Sequence, residues 1–475
     1  MNFQILAIIA AVFHVLGIAS AVQAIMETRT PQGAVAWVLG LITFPYVAVP
    51  AYWVFGRSKF RGFVALHRSD LIKTVPAARR YLEELKTGQL IAFPDRQKAL
   101  SVEKLAKLPF TVGNDVELLV DGQDTFDSIF EGIQRAERYI LVQFYILRGD
   151  GLGKQLNRRL ADKARQGVQV YVLYDEIGSH DLPDTYVSEM AAAGIQAYPF
   201  NTTKGRANRF QINFRNHRKI VVVDGQEAWV GGHNVGDEYL GKDPKSRPWR
   251  DTHVKVYGPV ALAIQLTFAE DWHWASGAML DLGWIPTPCS SGKSIAALAL
   301  PSGPADILET CTLFFIKAIQ SAEHRLWIAS PYFVPDEQFI TALQLAVLKG
   351  VDVRLLIPRK TDNQLVTLTQ WAYIEPLHQL GVKVYWYDKG FLHQKVVLID
   401  DDYATVGTAN FDNRSFRLNF EITVVVADQG FNGEVARMLE ADFARSRLVT
   451  EADIRAKGPL FRFAVRAAQL TAPIQ

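Results

Sequence analysis

Two stretches of the sequence carry the same polar side chains at the same spacing. Residues 217 to 234 read HRKIVVVDGQEAWVGGHN, and residues 393 to 410 read HQKVVLIDDDYATVGTAN, an offset of 176 residues throughout. The recurring residues are His217, Lys219, Asp224 and Asn234 in the first copy and His393, Lys395, Asp400 and Asn410 in the second. A constant offset indicates that two similar units bring these side chains to one place.

The spacing within each copy predicts which side chains share a face. Residues two apart in a strand point the same way, so each histidine lies beside its lysine. Each aspartate follows its histidine by seven residues, an odd step, so we expect it to pair with charges or to brace the next turn rather than to contact substrate. Each asparagine closes a glycine-containing turn, which returns the chain beside the histidine and lysine.

Two such units facing each other supply two imidazoles, two ammonium groups and two amides. Lysines and amides can neutralise the charge that a phosphodiester develops as it reacts, without a metal. A neutral histidine can attack phosphorus, while a protonated histidine opposite it can protonate the leaving alkoxide. Two histidines in one site are expected to titrate as a coupled pair, one neutral and one charged. The pattern therefore predicts phosphoryl-type transfer.

The repeat extends well beyond the polar residues. The segment IQRAERYILVQFYI at 133–146 resembles IQSAEHRLWIASPYF at 319–333, and further strand pairs follow in the same order. Each half reads as β-α-β-α-β and then the histidine-containing strands, which predicts an α/β fold of two mixed sheets flanked by helices. The Pro-, Gly- and Ser-rich segment 282–293 marks the boundary, giving domains at 113–287 and 288–475.

The amino-terminal region is apolar. Phe3 to Met26 and Gly33 to Phe55 contain no charged residue, and each run is long enough to cross a hydrocarbon core of about 30 Å as a helix. We therefore predict a transmembrane hairpin over residues 1–56, with spans at about 3–26 and 33–55. The alternative is a secretory signal with small residues near Ala21, but no basic residue precedes the first run and a second run follows it.

Residues 57–112 are predicted to connect the membrane to the first domain. Between Gly56 and Arg80, seven basic residues face one acidic residue, Asp70, a local charge of +6. By the positive-inside rule, this segment and everything after it are cytoplasmic. Such a cluster also favours an anionic leaflet.

Composition excludes several classes of function. The chain has 51 basic and 49 acidic residues among 475, and this net charge of +2 is too small to indicate a nucleic-acid partner. Cys289 and Cys311 lie far apart, which predicts neither a disulfide framework nor a zinc site. SGKS at 291–294 lacks the first glycine of a P-loop, and GDGLGK at 149–154 ends in lysine where a dinucleotide fingerprint needs glycine. No cofactor or metal is predicted.

The paired H-x-K-x-x-x-x-D motifs, each followed by a glycine turn ending in asparagine, resemble the phospholipase D superfamily. The resemblance implies two α-β-α sandwich domains that share one cleft, a covalent phosphohistidine and no metal. It implies His217 as nucleophile and His393 as general acid, with both motif lysines and aspartates in the catalytic set and Asn234 and Asn410 on the phosphate. Asp251 in WRDTH and Glu421 in RSFRLNFE match the acidic residues that orient the histidines in that family.

Several phrases beyond the motifs resemble bacterial cardiolipin synthases. They are RTPQGAVAW, SPYFVPD and GTANFDNRSFRLNFE, together with the apolar amino terminus. The resemblance implies transfer of a phosphatidyl group between two phosphatidylglycerol molecules by a multi-pass inner-membrane enzyme, with anionic lipids as partners, no nucleic acid and a possible homo-oligomer. The alternative is a membrane-tethered phosphodiesterase that uses water as acceptor.

Three other sequence features are not predicted to take part in catalysis. Trp272, His273 and Trp274 indicate aromatic packing or an interfacial lid rather than catalysis. His233, inside the GGHN turn, is expected to shape that turn. The carboxy-terminal segment PLFRFAVRAAQL is compatible either with a membrane surface or with packing on the second domain.

Overall fold

The computed structural model describes residues 3–56, 60, 76–92, 96–200, 203, 213–243 and 247–475. Helix α1 (Phe3–Glu27) is 25 residues long with a mean hydropathy of 2.5, and within these ranges it is the one helix long and apolar enough to cross a membrane. The second apolar run forms two shorter helices, α2 (Pro31–Thr43) and α3 (Pro45–Phe55).

The apolar run at 33–55 is therefore not the single continuous helix that was predicted. The chain leaves the helical conformation at Phe44, which has φ −132° and ψ 56°. Proline has no N–H to donate and disfavours a helical residue before it, so Pro45 ends α2 and begins α3.

The connector contains two helices, α4 (Pro76–Thr87) and α5 (Arg96–Ala106). Five of the seven basic residues predicted to face the membrane lie outside the described residues. Tyr81 and Leu85 of α4 are fully buried in the central core, so α4 is anchored to the first half of the repeat.

The two halves follow the same succession of elements. The first contains β1 (Thr111–Val120), α6 (Asp121–Arg135), β2 (Tyr139–Phe144), α7 (Gly151–Arg165), β3 (Gln169–Asp175), α8 (Asp184–Ala192), β4 (Gln196–Phe200), β5 (Arg215–Asn216), β6 (Ile220–Val223), β7 (Glu227–Gly231), β8 (Trp249–Arg250), β9 (Thr252–Tyr257) and α9 (Pro259–Ser276). The second contains β10 (Ile295–Ser302), α10 (Thr310–Ser321), β11 (Arg325–Ala329), β12 (Phe333–Val334), α11 (Glu337–Leu348), β13 (Asp352–Pro358), α12 (Gln364–Gln379), β14 (Lys383–Tyr387), β15 (Phe391–Leu392), β16 (Val396–Ile399), β17 (Tyr403–Gly407), β18 (Phe411–Asp412), α13 (Asn413–Arg417), β19 (Asn419–Ala427), α14 (Gln429–Ala444), β20 (Arg447–Leu448), α15 (Glu451–Arg455) and α16 (Pro459–Gln469).

The two mixed sheets join edge to edge. Their order is β20-β14-β13-β11-β16-β17-β19-β10-β1-β9-β7-β6-β2-β3-β4, with β5 paired to β19, sixteen strands in the described part of the chain. Strands β1 and β10, the first of each half, pair antiparallel, as do β10 and β19. One hydrophobic core spans both halves, so the halves form a single rigid platform for the motifs.

Candidate active site

The two histidines open into the same cavity. His217 and His393 both line a space of about 560 Å³ between the halves, and Asn234 and Asn410 line it as well. Its wall also contains aromatic and arginine side chains, namely Tyr145, Tyr239, Trp249, Tyr332, Arg215 and Arg414. The cavity therefore unites the histidines and amides that the repeat predicted.

Two short parallel ladders bring the halves together at this cavity. In one, β5 pairs with the start of β19, and the His217 amide donates to the carbonyl of Phe420 at 2.9 Å. In the other, β15 pairs with β8, and the His393 amide donates to the carbonyl of Arg250 at 2.8 Å. The register of these ladders places each histidine beside the acidic residue of the other half.

The first histidine is held by Glu421. His217 Nδ1 lies 2.9 Å from Glu421 Oε2, and the carboxylate is fully buried. It also accepts hydrogen bonds from Thr408 Oγ1 at 2.5 Å and Ser415 Oγ at 2.8 Å. Burial opposes ionisation of Glu421, but His217 and Lys219 hold its pKa below the ordinary value. An ionised carboxylate on Nδ1 leaves Nε2 of His217 available to the cavity.

The second histidine is held by Asp251. His393 Nδ1 lies 2.6 Å from Asp251 Oδ2, and Oδ1 accepts the Thr252 amide at 2.8 Å. Burial raises the pKa of Asp251, against the lowering effect of Lys395. Asp251 and Glu421, which the sequence singled out, are thus both in contact with a motif histidine, each across the boundary between halves.

Burial sets the protonation of both histidines. It lowers the pKa of His217 to about 4, against the raising effect of Glu421, and it lowers the pKa of His393 well below the ordinary value. The positive charges of the two motif lysines act in the same direction. Burial thus favours the neutral form of both imidazoles in the free cavity, whereas the sequence predicted one neutral and one charged histidine.

The motif lysines lie beneath the cavity wall. Lys219 Nζ donates to the His217 carbonyl at 2.6 Å, and Lys395 Nζ donates to the carbonyl of His393. Burial lowers the pKa of Lys395 to about 8 and that of Lys219 well below its ordinary value. The lysines brace the histidine backbone and add positive potential under the site.

The motif aspartates are not in the cavity, which corrects their place in the catalytic set. Asp224 accepts the amides of Glu137, Arg138 and Tyr139, each at 2.8 Å, at the start of β2. Asp400 binds the corresponding three amides before β11, at 2.7 to 2.8 Å. Both adopt positive φ, 53° and 50°, at the turn after the histidine strand. Their absence from the cavity agrees with the odd spacing, but they bind the start of a neighbouring strand rather than the following turn.

The asparagines face the cavity with different partners. Asn234 Oδ1 accepts the Ile146 amide at 3.1 Å, and its Nδ2 donates to Tyr239 Oη at 2.6 Å. Asn410 lies beside Asp412, whose pKa burial raises to about 6. Both asparagines line the cavity, at the positions where the sequence predicted phosphate binding.

A buried histidine pair behind Asp251 was missed in the sequence. His233 Nδ1 lies 2.9 Å from His253 Nδ1, and burial lowers the pKa of each to about 3. His253 follows Asp251 by two residues, a spacing that could have drawn attention to it. The corresponding positions of the second half are Ala409 and Thr423, so the pair exists on one side only.

The conspicuous WHW segment lies away from the cavity. Trp272 is fully buried and stacks on Phe268 with ring centroids 6.0 Å apart, and Trp274 packs on Phe60. Its role is aromatic packing. Among the described residues, no group of three or more His, Cys, Asp or Glu side chains is arranged to hold a metal ion.

Two H-x-K strands that meet in one cleft, each histidine held by a buried carboxylate, define a two-histidine site of the phospholipase D type. A family model described as "Cardiolipin synthase, PLD-like domain" matches residues 129–272 and 315–446, and one described as "Phospholipase_D-nuclease N-terminal" matches residues 5–57. The chain belongs to the cardiolipin synthase family of phospholipase D-like proteins.

Individual relatives agree with this assignment. Cardiolipin synthase A of Pseudomonas fluorescens is 46% identical over 98% of this chain and 97% of that protein. Cardiolipin synthase A of Pseudomonas aeruginosa is 47% identical over 97% of this chain and 94% of that protein. The crystal structure of phosphatidylserine synthase from Haemophilus influenzae matches with a TM-score of 0.61 over 80% of this chain and 100% of that chain, at 16% identity, which shows a common fold.

Proposed function

We propose that this protein is a cardiolipin synthase that moves a phosphatidyl group from one phosphatidylglycerol to the glycerol hydroxyl of another, releasing glycerol. One observation carries the proposal. In a chain of this family, each histidine is held through Nδ1 by a carboxylate of the other half, which leaves both Nε2 atoms facing one cavity. Such a pair can serve as nucleophile and as acid–base catalyst.

In the first step, His217 Nε2 attacks the phosphorus of the donor lipid. A P–N bond forms, the P–O bond to glycerol breaks, and His393 Nε2–H gives its proton to the departing glycerol oxygen. The ionised Glu421 stabilises the positive charge that develops on the His217 ring. We assign the nucleophile to His217, as the resemblance to the phospholipase D superfamily implies, and Glu421 is suited to stabilise it because Thr408 and Ser415 donate hydrogen bonds to the carboxylate.

In the second step, the hydroxyl of the acceptor lipid attacks the phosphohistidine. Neutral His393 takes the hydroxyl proton, the new P–O bond forms, and the P–N bond to His217 breaks. The lysines beneath the histidines and the amides of Asn234 and Asn410 offset charge on the phosphoryl oxygens, so the cycle needs neither a metal nor a nucleotide. A phosphodiester anion opposes the effect of those lysines on His393 and raises its pKa, which prepares the acid for the first step.

The site acts on phospholipids, and the chain is associated with a membrane through its apolar amino terminus. We propose the bacterial inner membrane, with catalytic halves on the cytoplasmic side, because of the basic run that follows α3. The substrates are phosphatidylglycerol and the partners anionic lipids, with no nucleic acid. We also predict that the protein can form a homo-oligomer, and that its two domains comprise residues 113–287 and 288–475.

The test is to incubate the purified protein with phosphatidylglycerol vesicles, chelator and no nucleotide, and to analyse lipid products by mass spectrometry. We expect cardiolipin and glycerol in equal amounts, both lost in His217→Ala. Phosphatidic acid as the main product would support the phosphodiesterase alternative instead. Product formation in His217→Ala, or dependence on added metal, would contradict the proposed mechanism.

A further inference from the structure

Two arginines form a cationic part of the cavity wall that the two-step chemistry does not use. Arg215 and Arg414 both line the cavity, and both interact with Tyr145, whose ring packs edge-on against His217 at 4.9 Å. Arg215 lowers the pKa of Arg414, in addition to the effect of burial, because their like charges are close. Like charges held together favour an anion between them.

The arginine pair breaks the symmetry of the two halves. At the corresponding positions of the other half, the repeat has Phe391 in place of Arg215 and Glu238 in place of Arg414. In the mechanism proposed above, the donor phosphate reacts between the two histidines and is bound by residues of both halves. A pair of arginines that is present in one half only is suited to bind a second ligand group, different from the donor phosphate.

The position of Arg215 matches the geometry of the acceptor lipid. Arg215 precedes His217 by two residues and lines the same cavity, about 6.6 Å away along an extended chain. In the product, two phosphates are separated by a three-carbon glycerol bridge, a similar span. Resting on the function proposed above, we propose that Arg215 and Arg414 bind the phosphate of the acceptor phospholipid while the donor phosphate reacts at His217.

The test compares two acceptors of the same phosphatidyl group. Labelled glycerol that exchanges into phosphatidylglycerol is an acceptor without a phosphate, whereas phosphatidylglycerol is an acceptor that carries one. We expect Arg215→Gln to lower cardiolipin formation about ten- to a hundredfold relative to glycerol exchange, since a charged hydrogen bond is lost. Arg215→Lys should recover part of the ratio, and Arg158→Gln, on the exposed face of α7, should leave it unchanged.

The outcomes are distinguishable. Equal loss of both reactions in Arg215→Gln would place the arginine on the donor phosphate, and an unchanged ratio would remove it from acceptor binding; either overturns the proposal. Absence of both reactions in the wild-type protein would overturn the proposed function instead.

The contacts of the amino-terminal helices with the second half indicate how the chain lies in the membrane. Both ends of the α2–α3 unit contact one loop of the second half. Before α2, Arg29 Nη2 lies 2.6 Å from Glu309 Oε2. After α3, the Phe60 amide donates to the Pro304 carbonyl at 3.2 Å. The unit therefore leaves the catalytic halves and returns to them.

Packing within the unit shows how it returns. Trp37 of α2 meets Tyr52 of α3 with ring centroids 5.2 Å apart, whereas a straight helix would separate them by about 22 Å. Val49 and Tyr52 pack against Ala21 and Ala24, near the end of α1 that adjoins α2. Helix α3 thus folds back along α2.

The turn at Phe44 suits an apolar environment. The Phe44 amide donates to Gly40, and its carbonyl accepts the amides of Val47 and Ala48. A Cβ on Gly17 would lie 2.4 Å from the Leu41 carbonyl oxygen, so glycine allows α1 to cover the turn closely. Polar backbone at membrane depth is tolerated where protein covers it.

We infer that α1 alone crosses the bilayer, while α2 and α3 enter the leaflet beside the catalytic halves and leave it on the same side. At 13 residues, α2 spans about 20 Å, less than the hydrocarbon core of about 30 Å. Phe3, at the start of α1, and the catalytic halves then lie on opposite sides of the membrane. Two full spans would put them on the same side.

Single cysteines decide between these topologies. Two variants lack both native cysteines, Cys289 and Cys311, and carry either Phe3→Cys or Gln32→Cys. A third variant lacks only Cys311, and its remaining Cys289 marks the catalytic side. An impermeant maleimide is applied to right-side-out and to inverted membrane vesicles of the producing bacterium. We expect residue 32 to be labelled from the same face as Cys289 and residue 3 from the opposite face. Residues 3 and 289 labelled from one face, whatever the result for residue 32, would overturn the inference.

Discussion

The crossed contact between Glu421 and His217 gives the sharpest test of the mechanism. Glu421→Gln keeps the size of the side chain and removes its charge. His217 then loses a charge-assisted hydrogen bond, 2.9 Å long in the wild-type protein, to a carboxylate that is fully buried. An amide at this place cannot stabilise the positively charged ring of a phosphohistidine.

The magnitude follows from the geometry. A charged hydrogen bond contributes about 1.5–3 kcal/mol, and two charges about 4 Å apart at an effective dielectric constant of about 20 interact by about 4 kcal/mol. A loss of about 2–4 kcal/mol in the transition state lowers the rate about 30- to 1,000-fold. The drop should appear in kcat, because the carboxylate lies behind the histidine and outside the cavity wall.

The assay measures initial rates of cardiolipin formation from phosphatidylglycerol vesicles. Glu227→Gln serves as control, since Glu227 pairs with Arg135 far from the cavity. Thermal unfolding of both variants checks that they are folded. A rate for Glu421→Gln within threefold of the wild type, in a folded protein, would refute the role of the crossed carboxylate.

Three further predictions follow from the same structure. Asp224→Ala should lower the free energy of unfolding by about 2–3 kcal/mol, because three strand-start amides lose their acceptor, while the folded fraction keeps its activity; denaturant unfolding and activity per folded molecule check this. Burial lowers the pKa of four histidines, His217, His233, His253 and His393, so the unfolded chain binds more protons than the folded chain below pH 6.5. The contribution of these histidines to the free energy of unfolding should be fully present above pH 6.5 and fall by up to about 5 kcal/mol per pH unit toward pH 4; in denaturant titrations, His233→Ala should remove about a quarter of that slope. Gly17→Leu should separate α1 from the turn at Phe44 and lower thermal stability in detergent, whereas Val15→Leu, on the exposed side of α1, should have little effect.

The sequence predicted the parts of the site better than their pairing. The constant offset of the repeat was enough to bring both histidines and both asparagines to one cavity, and parity along the strand was enough to keep the aspartates out of it. The crossed contacts depend on the register of two-residue ladders between the halves, and local pattern carries no information about such tertiary pairing. Arg215 and Arg414 become neighbours only through the same ladders.

The membrane region shows a different limit. Counting apolar residues from Gly33 to Phe55 gave a length that fits a bilayer, and the count ignored Pro45. Proline interrupts the helix, but only the contacts of Trp37 with Tyr52 reveal that the chain then reverses direction. Hydropathy measures preference for lipid, and it does not report the path of the backbone.

The joint between β1 and β10 has a consequence for how product leaves. Opening the cleft by a hinge between the halves would break this strand pairing and the core that continues across it. Turnover is then expected to proceed without the halves swinging apart, so a product with four acyl chains has to leave through the mouth of a cleft of fixed width. We then expect the exchange of lipids at that mouth, rather than a conformational change, to limit the turnover rate.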